Sequence, residues 1–130
     1  MIGFNVRGDQ LRQLVRFLMR EEEFTDGDHC EWFQFSRYFF CEYDRGTREI
    51  LKLTMNGKDV EDSDVFRVAA QSYFYLNMNE FLGISPEEIE KNGQPAELAV
   101  KAPNVLEEYF SNHDYIKLDG EPRLLIHDPA

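Results

Sequence analysis

The sequence predicts an α/β domain of about five or six strands and three helices. Three observations carry this prediction. Segments with two-residue alternation recur between Trp32 and Ala70. An apolar stripe at helical spacing, formed by Leu11, Leu14, Val15 and Leu18, precedes them. The run Ser85-Pro86-Glu87-Glu88 carries a helix-start signature, and Asn56-Gly57 carries a hairpin signature.

The elements follow in order. Ile2 to Val6 reads as a short strand, and Gly8-Asp9 opens a helix with Asp9 as its expected cap. Glu21 to Asp28 is acidic and contains Gly27, so a loop is expected. Trp32 to Tyr43 reads as an aromatic strand. Within it Trp32, Gln34, Ser36 and Tyr38 alternate with Phe33, Phe35, Arg37 and Phe39. Both faces are partly apolar, as in a strand covered on both sides. Asp44 to Arg48 is turn-like, and Glu49 to Thr54 is an aliphatic strand. Asn56-Gly57 predicts a two-residue turn, Asp59 to Asp64 a solvated turn, and Phe66 to Ala70 a further strand. Ser72 to Phe81 reads as a loop. Ser85 then caps a short helix with Pro86 at its first position, Glu88 completing a capping box, and Gly93 ends it. Pro103 to Asn112 is a further amphipathic helix, with Val105, Leu106, Tyr109 and Phe110 as its stripe, and Arg123 to His127 is a closing strand.

Composition narrows the function. At 130 residues one domain is expected, burying roughly two-thirds of its unfolded surface. A hydrophobic fraction of 42% with 14% aromatic is that of a globular chain. The formal net charge of −11 argues against a duplex nucleic-acid partner, which needs a basic stripe. A mononucleotide remains compatible, because its base can be held by stacking. No apolar run approaches the ~20 residues of a membrane span, and no basic-then-apolar leader is visible, so no membrane partner is expected.

Cys30 and Cys41 lie at either end of the aromatic strand, too far apart to pair, and free buried thiols are expected. No CxxC spacing supports zinc. Asp26-Gly27-Asp28 lacks the ligand spacing of a calcium loop, and Glu61, Asp62 and Asp64 read as a solvated turn. His113 follows the late helix, where it can interact with the helix dipole. No Ser/His/Asp or Cys/His arrangement is legible.

Taken together, several segments carry a resemblance. They are Val6-Arg7-Gly8-Asp9-Gln10-Leu11, Trp32-Phe33-Gln34-Phe35-Ser36 with Tyr43-Asp44, Gly46-Thr47-Arg48-Glu49-Ile50, Asn56-Gly57-Lys58-Asp59-Val60, Phe66-Arg67-Val68-Ala69, Val105-Leu106-Glu107-Glu108-Tyr109-Phe110, and Gly120 to Ile126. In this order and spacing, over nearly the whole chain, they resemble the C-terminal domain of the 5'-nucleotidase family of two-domain metallophosphoesterases. The resemblance implies a 5'-nucleotidase C-terminal-like domain over residues 1–130, with a mixed sheet and helices on both sides, as a piece of a longer protein.

It also implies a division of labour. In that family an N-terminal domain, not represented here, holds two divalent metal ions and hydrolyses the phosphoester, while the C-terminal domain binds the nucleoside. A binuclear site needs about half a dozen convergent ligands. His29, His113 and His127 are well separated in sequence, so this polypeptide alone is expected to be inactive, with no metal or other cofactor of its own. Members of the family are often exported.

The family clamps a base between two aromatic rings, one in a turn ahead of the strand that here begins at Met1. The other ring falls on Tyr73, with Ser72 at the neighbouring Asn position. The family's Asp falls on Asn79, and a family glycine falls on Cys30. Where the family has Gly-Gly-Asp-Gly-Phe, this chain has Asn77-Met78-Asn79-Glu80-Phe81. Another family glycine falls on Arg37. Glycine permits positive φ and close backbone approach. Asn77 tolerates the left-handed region, Met78 does so at a cost, and Glu80 adds charge. Asn79 offers a sugar hydroxyl both a donor and an acceptor. The alternative implied by these departures is a degenerate domain of the same fold with a structural or protein-contact role and no nucleotide binding.

Overall fold

A computed structural model describes residues 1–19, 35–98, 111 and 122–127. The chain is mixed α/β and divides into two compact units, one of Met1–Val6 with Val65–Glu121, the other of Arg7–Asp64 with Pro122–Ala130.

In the first unit, strand β1 (Ile2–Arg7) lies between β5 (Val65–Ala70) and β6 (Ala96–Glu97). β6 runs antiparallel to β1, with Ile2 opposite Glu97 and Gly3 opposite Ala96. Alternation along β1 buries Phe4 and Val6 completely. Gly3 stands on the opposite face, where it admits the Arg67 side chain of β5. A Cβ there would sit 3.0 Å from the Arg67 guanidinium. Arg67 donates to Asn5 Oδ1, and Asn5 and Asn92 exchange two side-chain to backbone bonds, Asn5 Nδ2 to Asn92 O at 3.1 Å and Asn92 Nδ2 to Asn5 O at 3.2 Å. That exchange ties β1 to the end of helix α4 (Pro86–Glu90).

The start of helix α4 carries the serine cap and the proline that the sequence predicts. Ser85 is the cap and accepts from the Glu88 N–H, and Pro86 occupies the first turn. The Glu88 carboxylate pairs with Lys91 at 2.8 Å. Gly93, at φ +121°, follows.

The second unit holds a four-stranded sheet in the order β4-β3-β2-β7, with β2 Phe39–Asp44, β3 Glu49–Met55, β4 Lys58–Asp59 and β7 Leu124–His127. β2 pairs antiparallel with β3, with a register shift at Glu42/Tyr43, and parallel with β7. The β3–β4 turn is Asn56-Gly57 with φ of 57° and 76°, the doubly positive pair of a type I′ hairpin, as the sequence predicts. Phe39, Cys41, Tyr43 and Leu53 are buried, and helix α1 (Gly8–Leu18) packs against β3 with Leu11, Leu14, Val15 and Leu18 buried. The strands thus divide between two sheets, in place of the single mixed sheet expected from the sequence. The four-stranded one is mixed.

Two expectations need correction here. The cap of α1 is Arg7, and Asp9 lies inside the first turn. Arg7 needs no capping oxygen, because the first helical amides find carbonyls in the 61–64 turn. Gly8 N–H donates to Asp64 O at 2.8 Å and Asp9 N–H to Asp62 O at 3.4 Å, while Arg7 N–H donates to the Gln10 side chain at 2.9 Å. The Asp9 carboxylate instead pairs with Arg7, which lowers its pKa. The second correction concerns the aromatic strand, which begins only at Phe39. Arg37-Tyr38 is a turn, with Tyr38 at φ 72° and the Arg37 guanidinium 5.1 Å from the Tyr38 ring centre. Phe35, ahead of the turn, stacks on Phe39 at 4.2 Å. Trp32 to Gln34, the acidic 21–28 segment and the Pro103 helix, apart from helical Ser111, lie outside the described residues.

Cys41 is a free, fully buried thiol. Burial pushes its pKa up to about 11, with the Arg12 charge opposing. At pH 8 its thiolate share is on the order of one in a thousand. Iodoacetamide at that pH should leave the Cys41 peptide unmodified in the folded chain and alkylate it in urea. Equal labelling in both states would contradict the buried position.

Candidate functional site

The segment after β5 is not a loop. Residues 72–81 form two short helices, α2 (Ser72–Leu76) and α3 (Met78–Phe81). Gln71 precedes α2 in extended conformation, and its carbonyl accepts from the Phe74 and Tyr75 amides. Asn77 sits between the helices at φ −113°. It is not left-handed, and neither is Met78. The Asn77 amide and its side-chain Nδ2 both donate to Tyr73 O, at 3.2 and 3.0 Å. This pair of hydrogen bonds to one carbonyl closes α2, and the Asn77 carbonyl starts α3 by accepting from the Glu80 and Phe81 amides. The positive φ that ends the pair is supplied by Gly83, at 69°.

Helix formation sorts the side chains. Tyr75, Met78 and Leu82 are buried at 8, 1 and 7% exposure, and Ile84 follows at 3%. Tyr75 packs its ring 5.4 Å from Phe4 of β1. Its hydroxyl is buried without a hydrogen-bond partner among the described residues, and burial, with the Glu90 charge adding, raises its pKa. Tyr75→Phe is therefore expected to leave stability unchanged or raise it by up to about 1 kcal/mol, because it removes an unsatisfied group. The check is a urea midpoint at constant m-value, and a loss beyond about 1 kcal/mol would point to a hydroxyl partner.

Tyr73 points the other way and is 62% exposed. Its ring is held against Phe81 of α3, with centres 5.3 Å apart, and lies edge-on to Phe74 at 6.1 Å. Phe74 and Phe81 themselves meet at 5.6 Å, nearly perpendicular. The result is a three-ring cluster whose open member is Tyr73. Leu76, 73% exposed, shares α2 with it. Asn79 and Glu80 are exposed on α3, and Ser72 is half-buried at the first position of α2.

Of the four residues singled out from the sequence, Tyr73, Ser72 and Asn79 therefore fall on one helix pair. Cys30 lies outside the described residues, as do His29, His113 and Asp26 to Asp28. Sequence reasoning missed Phe81 and Phe74 as supports of the Tyr73 ring. Phe81 lies eight residues beyond Tyr73, a helical spacing present in the sequence, whereas Phe74, its chain neighbour, carries no periodic signal.

Among the described residues no group of three or more His, Cys, Asp or Glu is placed to hold a metal ion. A second polar pair lies in the other unit, where His127 of β7 meets the Glu42 carboxylate of β2 at 2.7 Å. It joins two paired strands diagonally across the sheet surface. What the α2–α3 surface can do chemically is stack a planar group on the exposed Tyr73 ring; the exposed Asn79 amide on α3 is a second hydrogen-bonding group of the same helix pair. No protein-family model and no curated protein matches this chain.

Proposed function

We propose that this chain is a nucleoside-recognition domain of a 5'-nucleotidase-like metallophosphatase, and that it is not catalytic by itself. The observation that supports the reading most is the exposed Tyr73 ring directly after β5, braced by Phe81, at the position where the sequence resemblance puts the base-stacking aromatic. In this reading Tyr73 supplies the base platform and Asn79 the contact to a ribose hydroxyl, with Ser72 beside them. An N-terminal metallophosphoesterase domain of the parent protein carries the two metal ions and the hydrolysis.

Adenosine added to the chain should shift the amide resonances of Tyr73 and Asn79. Tyr73→Ala should weaken binding by about tenfold or more, since base–aromatic stacking is worth roughly 1–3 kcal/mol per base. Silence at both amides up to millimolar adenosine would sink this reading.

Another observation favours a different role. Leu76 lies exposed beside Tyr73, while Met78 fills the interior at a place where the family's glycine would leave room. A degenerate domain that uses this apolar helix for protein contact would have these features, and it would show silent adenosine titrations.

A further inference from the structure

The three-stranded sheet of the first unit carries an arginine that pairs with an amide in place of a carboxylate. The chain has 25 acidic and 14 basic side chains, so acidic partners for a surface cation are plentiful. Arg7, Arg12 and Lys91 meet Asp9, Asp62 and Glu88 respectively. Arg67 on β5 instead donates from Nη1 to the neutral Asn5 Oδ1 at 3.2 Å, and it meets no carboxylate among the described residues. Its guanidinium is also seated on Gly3. A Cβ there would stand 3.0, 3.2 and 3.3 Å from its Nη2, Nε and Cζ, so the group lies against bare backbone. Asn5 is itself fixed by its exchange of bonds with Asn92, and a Cβ at Gly93 would stand 3.2 Å from Asn5 Nδ2. By alternation and pairing, the same face carries Ala96 of β6, opposite Gly3, and Val65 and Ala69 of β5, none of them acidic.

From this geometry we infer that Arg67, seated on Gly3 and anchored by Asn5, is a binding site for a carboxylate. The inference uses none of the residues of the nucleoside reading and stands without it. A guanidinium has five N–H donors and the Asn5 bond uses one, which leaves four on an exposed side chain. They form a rigid fork that matches the two coplanar oxygens of a carboxylate. Holding the fork in advance removes part of the ordering cost of binding. One positive charge balances a carboxylate, whereas a phosphate dianion would keep an excess charge on a chain of net charge −11. β5 stands at the end of its sheet, and a charge there also deters pairing between sheets, but that role needs neither a seated guanidinium nor a glycine beneath it.

The test is a titration of the full chain with sodium acetate, followed at the arginine Nε–Hε resonances, with sodium chloride holding the ionic strength constant. The Arg67 resonance should shift saturably, with a midpoint at least about threefold below that of Arg37, an exposed arginine of the other unit. Gly3→Ala sets a Cβ against the flexible end of the Arg67 side chain, so the chain should fold and the midpoint should rise to that of Arg37. Asn5→Asp supplies an internal carboxylate and should abolish the Arg67 response. An Arg67 midpoint equal to that of Arg37, or one unchanged in a folded Gly3→Ala chain, would overturn the site. Sodium phosphate binding more tightly than acetate at the same ionic strength would overturn the carboxylate assignment.

Discussion

Gly8→Ala should cost this protein roughly 3 kcal/mol or more of stability, although Ala is the better helix former by about 1 kcal/mol. Steric crowding decides the sign. A Cβ at Gly8 would sit 1.8 Å from Glu61 O, 2.7 Å from Glu61 C and 3.0 Å from Val60 Cγ1. The nearest atoms belong to backbone, so no rotamer change relieves the overlap. The 61–64 turn cannot simply retreat either. Glu61 N–H donates to the Asp64 carboxylate at 2.9 Å, Asp64 N–H returns to Glu61 O at 3.0 Å, and Val60 N–H is bonded to Leu53 O at 3.0 Å. Arg12 also donates to Val60 O. The same turn supplies the carbonyls that satisfy the first amides of α1, so moving it strips the helix of its cap. Urea denaturation followed by circular dichroism should show a lower midpoint. A variant within about 1 kcal/mol of the parent would contradict the close approach.

Gly8 also shows what the sequence could and could not disclose. Gly8-Asp9 marked the start of α1, but the reason for the glycine is a contact with a turn some fifty residues away, which no local pattern encodes. The Asn56-Gly57 turn and the Ser85-Pro86 start were legible because their signals are local, a positive-φ pair and a side-chain cap. The aromatic strand is shorter than its pattern suggests. Alternating aromatics continue through the Arg37-Tyr38 turn, and alternation is blind to a single left-handed residue such as Tyr38. The partition into two sheets was out of reach, since β1 joins β5 and β6, and β2 joins β7, across long stretches of chain. For the site, the position of the aromatic was legible and its setting was not. Tyr75, Met78 and Leu82 recur at i, i+3 and i+7, a helical period that a resemblance to a glycine-rich loop hides.

Met78→Gly, which restores the residue the resemblance places at this position, should destabilise the chain by about 4 kcal/mol. Roughly 2–5 kcal/mol comes from truncating a buried methionine and about 1 kcal/mol from glycine in a helix. Met78 is 1% exposed and opens α3, where its carbonyl accepts from the Leu82 amide at 2.8 Å. Its side chain has therefore become part of what holds the α2–α3 pair against its own unit. Met78→Leu preserves volume and should cost less than about 1.5 kcal/mol, which separates packing from any special need for methionine. The two variants also bear on binding. Tyr73 is positioned by Phe81 and by the Asn77 bonds to its carbonyl, both of which depend on α3 keeping its place. If Met78→Gly destabilised the chain by less than about 1 kcal/mol, the side chain would not be core, and the segment would be free to adopt a loop that closes on a ligand. If the loss is as large as expected, the ring is presented by a packed helix pair. On the proposed nucleoside reading, adenosine affinity should then follow Tyr73 and be nearly unchanged in Met78→Leu, within about twofold by competition titration.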